Sequence, residues 1–147
     1  MEKKREDNVF YVCTMIEYVA RITNNHRKNI ILFLTKKGLE HQLKVADVNH
    51  CLSFEQVADE WIEQYGITEG GFDTVTNCKY SVPSVTAIGR VYQQLVLAVA
   101  KENEEVQAII DVFSSFISDE ISNFNSNVYY SNPQYIESSY KEGVLLI

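Results

Sequence analysis

Ser53-Phe54-Glu55-Gln56-Val57-Ala58-Asp59-Glu60-Trp61-Ile62-Glu63-Gln64-Tyr65-Gly66 is the stretch whose reading decides the fold class. Ser53 with Gln56 three residues on forms a capping box, in which the hydroxyl accepts an orphan amide of the first turn. From there Phe54, Val57, Ala58, Trp61, Ile62 and Tyr65 share one face of a helix, while Asp59, Glu60 and Glu63 share the other. Gly66 is a natural stop, because glycine takes the left-handed conformation that closes a helix. A stripe this apolar has to be buried, so Trp61 belongs in a core and neighbouring elements must supply matching faces.

Upstream the same periodicity recurs. Residues 1–7 are charged and read as a frayed start. Val9, Val12, Cys13, Ile16, Val19 and Ala20 then keep helical spacing, which predicts a helix over 8–23 ended by Asn24 and Asn25. Ile30, Ile31, Phe33 and Leu34 predict a second helix over 27–35. A turn at 35–38 carries Gly38, read there as the residue free to take positive φ, and a third helix follows over 39–48.

Downstream, Gly70, Gly71 and Pro83 mark 67–83 as loop, with a short β-hairpin expected within 72–82. Ser84 can cap a helix to about 102, apolar around so much of its circumference that it reads as the central buried helix. Asn103 breaks the chain, and Glu104 and Glu105 open a last helix running to about 125. Residues 126–147, rich in Asn, Ser and Tyr, read as an irregular tail wrapping the surface. The expectation is one mainly α-helical domain over 1–147: a compact bundle of about six helices, with a basic helical half at 8–66 and two long helices at 84–125.

Composition narrows the function classes. The 147 residues carry a net charge of −7 with 46% hydrophobic residues. Residues 1–50 hold nine Lys or Arg against six Asp or Glu, whereas 51–147 hold four against fourteen. An acid excess of that size repels phosphate backbones. No run approaches the length of a membrane span, and no secretory leader is legible. Cys13, Cys51 and Cys78 are odd in number and widely spaced, which points to reduced thiols and a cytoplasmic location.

Candidate chemistry is sparse. His41, Asp47, His50 and Cys51 are metal-ligand types, but His41 points away from the Asp47–His50 side of a helix, so no metal or other cofactor is expected. No nucleophile elbow or phosphate loop is present, and Asp59-Glu60, Glu104-Glu105 and Asp119-Glu120 fall on polar helix sides. Residues 27–48 fit a helix-turn-helix in which Lys36, Lys37, His41 and Lys44 could meet nucleic acid, with His26, Arg27 and Lys28 adding positive charge. Tyr129, Tyr130, Tyr135 and Tyr140 are residues of the interface type and mark the tail as a surface for a partner or for the chain's own core.

One resemblance is legible in the first half. Phe10, Cys13, Ile16-Glu17-Tyr18-Val19-Ala20, Phe33-Leu34, Lys36-Lys37-Gly38-Leu39, Leu43, Asp47-Val48, His50 and the 54–65 helix together resemble a family of very small, uncharacterised bacterial helical proteins. That family's pattern has a Cys-Ile-Glu-aromatic first helix, a glycine turn and an Asp-Val-Leu-His segment before an acidic helix. Here Asn49 stands in place of the Leu before the His, and Cys51-Leu52-Ser53 in place of Thr-x-Gly. The likeness covers residues 9–66. Members often occur beside ADP-ribosyltransferase-like proteins of toxin type, so the resemblance implies a partner or antitoxin role. The leading expectation is a non-enzymatic interaction or regulatory module that binds another protein or itself. A DNA-binding regulator using 27–48 comes second, and a small enzyme whose site the sequence does not reveal comes third.

Overall fold

A computed structural model describes residues 2–147. Among these residues lie seven α-helices, one 3-10 turn and no strand. The helices are α1 (Glu2–Thr23), α2 (Arg27–Asn49), α3 (Phe54–Tyr65), α4 (Val85–Val99), α5 (Glu105–Ser114), α6 (Phe116–Ser122) and α7 (Pro133–Glu142), with the 3-10 turn at Val128–Tyr130 between the last two. No helix among the described residues is long and apolar enough to cross a membrane.

Local signals place many of the boundaries. Ser53 Oγ accepts from the Gln56 amide and opens α3, and Gly66 closes it at φ 62°. Asn24 ends α1 in the left-handed region, and Asn103 takes the same conformation before α5. Ser84 Oγ accepts from the Ala87 amide at the start of α4. Trp61 is 1% exposed and belongs to one continuous buried cluster that also takes in Val9, Val12, Ile16, Tyr92, Phe113 and Ile117.

Several expectations are corrected. The helix begins at Glu2, within the stretch read as frayed, because its charged side chains find partners: Lys4 Nζ pairs with Asp47 at 3.0 Å and Arg5 with Glu105 at 3.0 Å. Central position goes to α1, whose residues 11–17 are all buried, whereas α4 leaves Thr86, Arg90 and Gln94 in solvent. The two meet closely where a Cβ on Gly89 would run into the Thr14 side chain. The hairpin at 72–82 does not form. Asp73 takes the amides of Val75 and Thr76 onto its own carboxylate at 2.9 and 3.0 Å, so they donate to no strand ladder.

Residues 27–49 are one kinked helix with no four-residue turn. The break is Thr35 alone, at φ 65° and ψ 174°. Gly38 lies inside the second half of α2, where a Cβ would sit 3.0 Å from Tyr65 Cε1, so its smallness serves packing and not a turn. The predicted 104–125 helix is cut at Ser115, which turns extended and caps α6 by accepting from the Ile117 amide. The tail, read as irregular, contains α7: Asn132 caps it, Pro133 sits in its first turn and Gly143 closes it at φ 79°. Val128, Ile136 and Ser139 are buried, so the tail docks on the chain's own body.

Candidate functional site

The polar residues that the fold brings together lie where the α1–α2 turn, the 67–83 loop and the end of α6 meet. The loop is sealed along both edges. On one side the Gly70 and Phe72 amides donate to the carbonyls of Thr23 and Asn24 at 2.8 and 2.7 Å. On the other, Lys79 donates its amide to Asn125 Oδ1 at 2.7 Å, and Asn125 Nδ2 donates to the Asn77 carbonyl at 3.1 Å. Between the seams lies a cavity of about 320 Å³ with two aromatic residues, Phe72 and Phe124, and two carboxylates, Asp73 and Asp119, in its lining.

Beneath it lies an ionic cluster with no exposed surface at its centre. Glu17 and Arg27 are both 0% exposed. Arg27 donates from Nε to Glu17 Oε1 at 2.9 Å and from Nη2 to Glu17 Oε2 at 2.6 Å, a bidentate pair. Arg21 Nε donates to the same Oε2 at 2.7 Å. Arg27 also reaches the loop through Thr74 Oγ1 at 3.2 Å. Burial disfavours charge on Arg27, but the facing Glu17 carboxylate outweighs it and raises its pKa. The pair therefore joins α1, α2 and the loop at the level of the cavity floor.

Two further groups shape the mouth. His26 Nδ1 lies 2.9 Å from Asp119 Oδ1, and its ring stacks on Phe72 with centroids 3.8 Å apart. Asp73 is held below its ordinary value by the Thr76 hydroxyl and then by the Thr76 and Val75 amides, so it keeps its charge to low pH. Arg21 lies over Phe124 with its guanidinium carbon 5.0 Å from the ring centroid. The imidazole of His26 is oriented by a carboxylate, but no hydroxyl or thiol among the described residues hydrogen-bonds to it.

The sequence-derived candidates are placed as follows. Tyr129 packs edge-on against Phe124 at 5.8 Å, beside the cleft, and Tyr130 next to it is 84% exposed. Tyr135 donates its hydroxyl to the Leu146 carbonyl at 2.7 Å, and Tyr140 is half-buried in a small recess with Asp111. The four tyrosines do not form one patch. Lys36, Lys37, His41 and Lys44 are all exposed but share no one groove: Lys37 and His41 border one with Tyr65, and Lys44 borders another with Lys4 and Arg5. Arg27 and His26, read as part of that basic surface, turn instead towards Glu17 and Asp119. No three His, Cys, Asp or Glu side chains converge on a common point among the described residues.

Sequence reasoning missed the buried cluster and the cleft. Glu17 carried a signal, since it sits on the apolar side of α1 between Ile16 and Val19 and precedes Arg21 by four positions. Nothing local marked Asp119 as the partner of His26, 93 positions away in the chain. The chain matches no protein-family model, no curated protein and no solved structure.

Proposed function

We propose that this protein is a non-enzymatic interaction module that docks a basic segment of another protein against the end of the bundle that carries the cleft. The observation that carries the reading is the company the cleft keeps. The 67–83 loop exposes Val75 and Tyr80, the end of α1 exposes Ile22 and the 3-10 turn exposes Tyr130, while Asp73 and Asp119 line the cavity itself. Exposed aromatic and aliphatic side chains around a polar recess are the composition of a protein interface core. Residues 51–147, with fourteen acids against four bases, favour a basic partner. The resemblance of residues 9–66 supports an antitoxin-like role, with an ADP-ribosyltransferase-like protein of toxin type as that partner.

The nucleic-acid reading draws less support. Glu40 interrupts the exposed basic residues of α2 between Lys37 and Lys44, and the nearby Lys4 is engaged by Asp47. Phosphate binding gains from many released counterions, which an interrupted stripe does not offer.

The test is capture from nuclease-treated host extract by the wild-type chain and by Val75→Asp and Tyr130→Ala, two exposed positions that leave the core intact. The expected result is a defined protein retained by wild type and lost by both variants, with unchanged circular dichroism. Retention indifferent to both variants overturns the reading. So does submicromolar binding of duplex DNA at physiological salt.

A further inference from the structure

We infer that this chain pairs with a second copy of itself along the α2–α3 hairpin, the basic outer ridge of each α2 lying on the acidic outer ridge of the other copy's α3. The groove at this surface shares no lining residue with the cleft, so the inference goes beyond the interaction reading and does not rest on it.

The hairpin is firmly set. Residues 50–53 alone connect α2 to α3. Tyr65, the last residue of α3, comes back to the part of α2 just beyond the Thr35 kink. A Cβ on Gly38 would sit 3.0 Å from its ring, and its hydroxyl accepts from Gln42 Nε2 at 2.9 Å. The two helices therefore run antiparallel. Between them lies an open groove of about 520 Å³, bordered by Lys37 and His41 on one side and by Gln64 and Tyr65 on the other.

The two ridges beside the groove carry opposite charge. Along α2, Lys37, His41, Lys44 and Val48 recur at i, i+4, i+7 and i+11, all exposed. Val48 is a large apolar side chain left 68% uncovered. Along α3, Glu55, Asp59, Glu60 and Glu63 are exposed. No ion pair among the described residues engages Lys37, Lys44 or any of these four acids. Glu40, the acid within the basic stretch, lines the groove on the other flank of α2. Side by side in one chain, the two rows do not pair with each other. A two-fold axis along the hairpin sets each row opposite its complement, does so twice, and closes at two copies. An unrelated acidic protein would answer α2 and leave α3 unpaired, and nucleic acid would be repelled by the acids of α3. A second copy answers both rows at once. Exposed ion pairs each contribute little, and two chains of charge −7 repel. Screening at physiological salt damps that distant repulsion more than it damps pairs in contact. The dimer is therefore a weak one, of the transient class.

The test is sedimentation equilibrium of the full-length chain at physiological salt. The mass should rise from 16.9 kDa at about 1 μM towards twice that at about 1 mM, and no further. Lys37→Glu with Lys44→Glu reverses one row, and Glu60→Lys with Glu63→Lys reverses the other. Each pair of substitutions should weaken association at least about ten-fold while circular dichroism stays unchanged. Mixed in equal amounts, the two reversed proteins should dimerise like wild type, because every contact again joins opposite charges. A wild-type chain that stays monomeric at about 1 mM overturns the inference. So does association indifferent to both reversals, or a mixture no stronger than its components. Growth beyond two copies overturns the two-fold arrangement. Duplex DNA bound by a monomeric wild type and lost in the Lys37→Glu, Lys44→Glu protein would give the α2 ridge to phosphates instead. Val75→Asp, which tests the cleft, should leave the dimer unchanged, so the two readings fail separately.

Discussion

Glu17 is the side chain whose removal tests the architecture most sharply. Substituting Met keeps comparable bulk and removes the one carboxylate shared by Arg27 and Arg21. Arg27 is 0% exposed and a guanidinium does not deprotonate, so its charge would remain buried with only the Asn25 carbonyl and the Thr74 hydroxyl as company. Breaking a buried pair from one side in this way costs about 3–5 kcal/mol. At about 2–4 °C per kcal/mol for a chain of this size, Glu17→Met should melt roughly 6–20 °C below wild type. Arg27→Met should cost less, about 1–3 kcal/mol, because Glu17 keeps Arg21 at 2.7 Å. The double variant should lie closer to wild type than Glu17→Met alone, since an apolar replacement of both partners removes the unpaired charge. Thermal unfolding followed by circular dichroism gives all four corners of the cycle. A Glu17→Met protein no less stable than Arg27→Met, or a double variant whose loss equals the two single losses added together, would refute this account of the cluster.

Three further outcomes are expected. Trp61→Ala should lose about 3–5 kcal/mol through lost burial and a cavity, and a melting curve like that of wild type would remove Trp61 from the core. Gly89→Ala should destabilise the α1–α4 contact, since the new methyl meets the Thr14 side chain with Thr14 Cα 3.0 Å away; adding Thr14→Ala should recover part of the loss, and a stable single variant would show that the helices can separate there. Burial pushes Tyr11 up to about 12 and raises Tyr92 and Cys13 further. Groups whose folded values are raised lend full stability below their unfolded values and lose it as pH climbs towards the folded ones, so the melting temperature should fall above about pH 10 together with a rise in tyrosinate absorbance; a flat profile through that range would contradict it.

The sequence was most legible where one residue type performs one local task. Ser53, Ser84, Asn24 and Gly66 each mark a helix end by a side-chain acceptor or by tolerance of left-handed backbone, and each does so in the structure; Asn103 turns left-handed between α4 and α5, but α4 stops short of it, at Val99. It was least legible where one residue type serves two tasks. Asn132-Pro133 is a loop signal by composition and a helix start by position, so α7 was hidden in it. Gly38 was assigned to a turn although its role is contact with Tyr65, while the backbone break fell on Thr35, a β-branched residue that propensity places in regular structure. The cleft was hidden for a different reason. Its lining comes from residues 72–77 and 119–125 and the ionic cluster bonded to that loop from residues 17–27, and only long-range packing brings them together.

The pairing of α1 with α4 also bears on how the chain is made. Glu2–Thr23 leaves the ribosome well before the helix it packs against most, Val85–Val99. At about 5–20 residues per second the nascent α1 waits roughly 4–15 s before its cover exists. During that interval the Val9, Val12, Cys13, Ile16, Val19 and Ala20 side of the chain is an apolar ribbon that α2 and α3 can cover only in part, the kind of surface on which nascent chains aggregate or recruit chaperones. Glu17 interrupts that ribbon with a charge. The same carboxylate that clamps two arginines in the finished protein is a gatekeeper for the unfinished one, so Glu17→Met should lower soluble yield during synthesis beyond what its equilibrium stability alone accounts for.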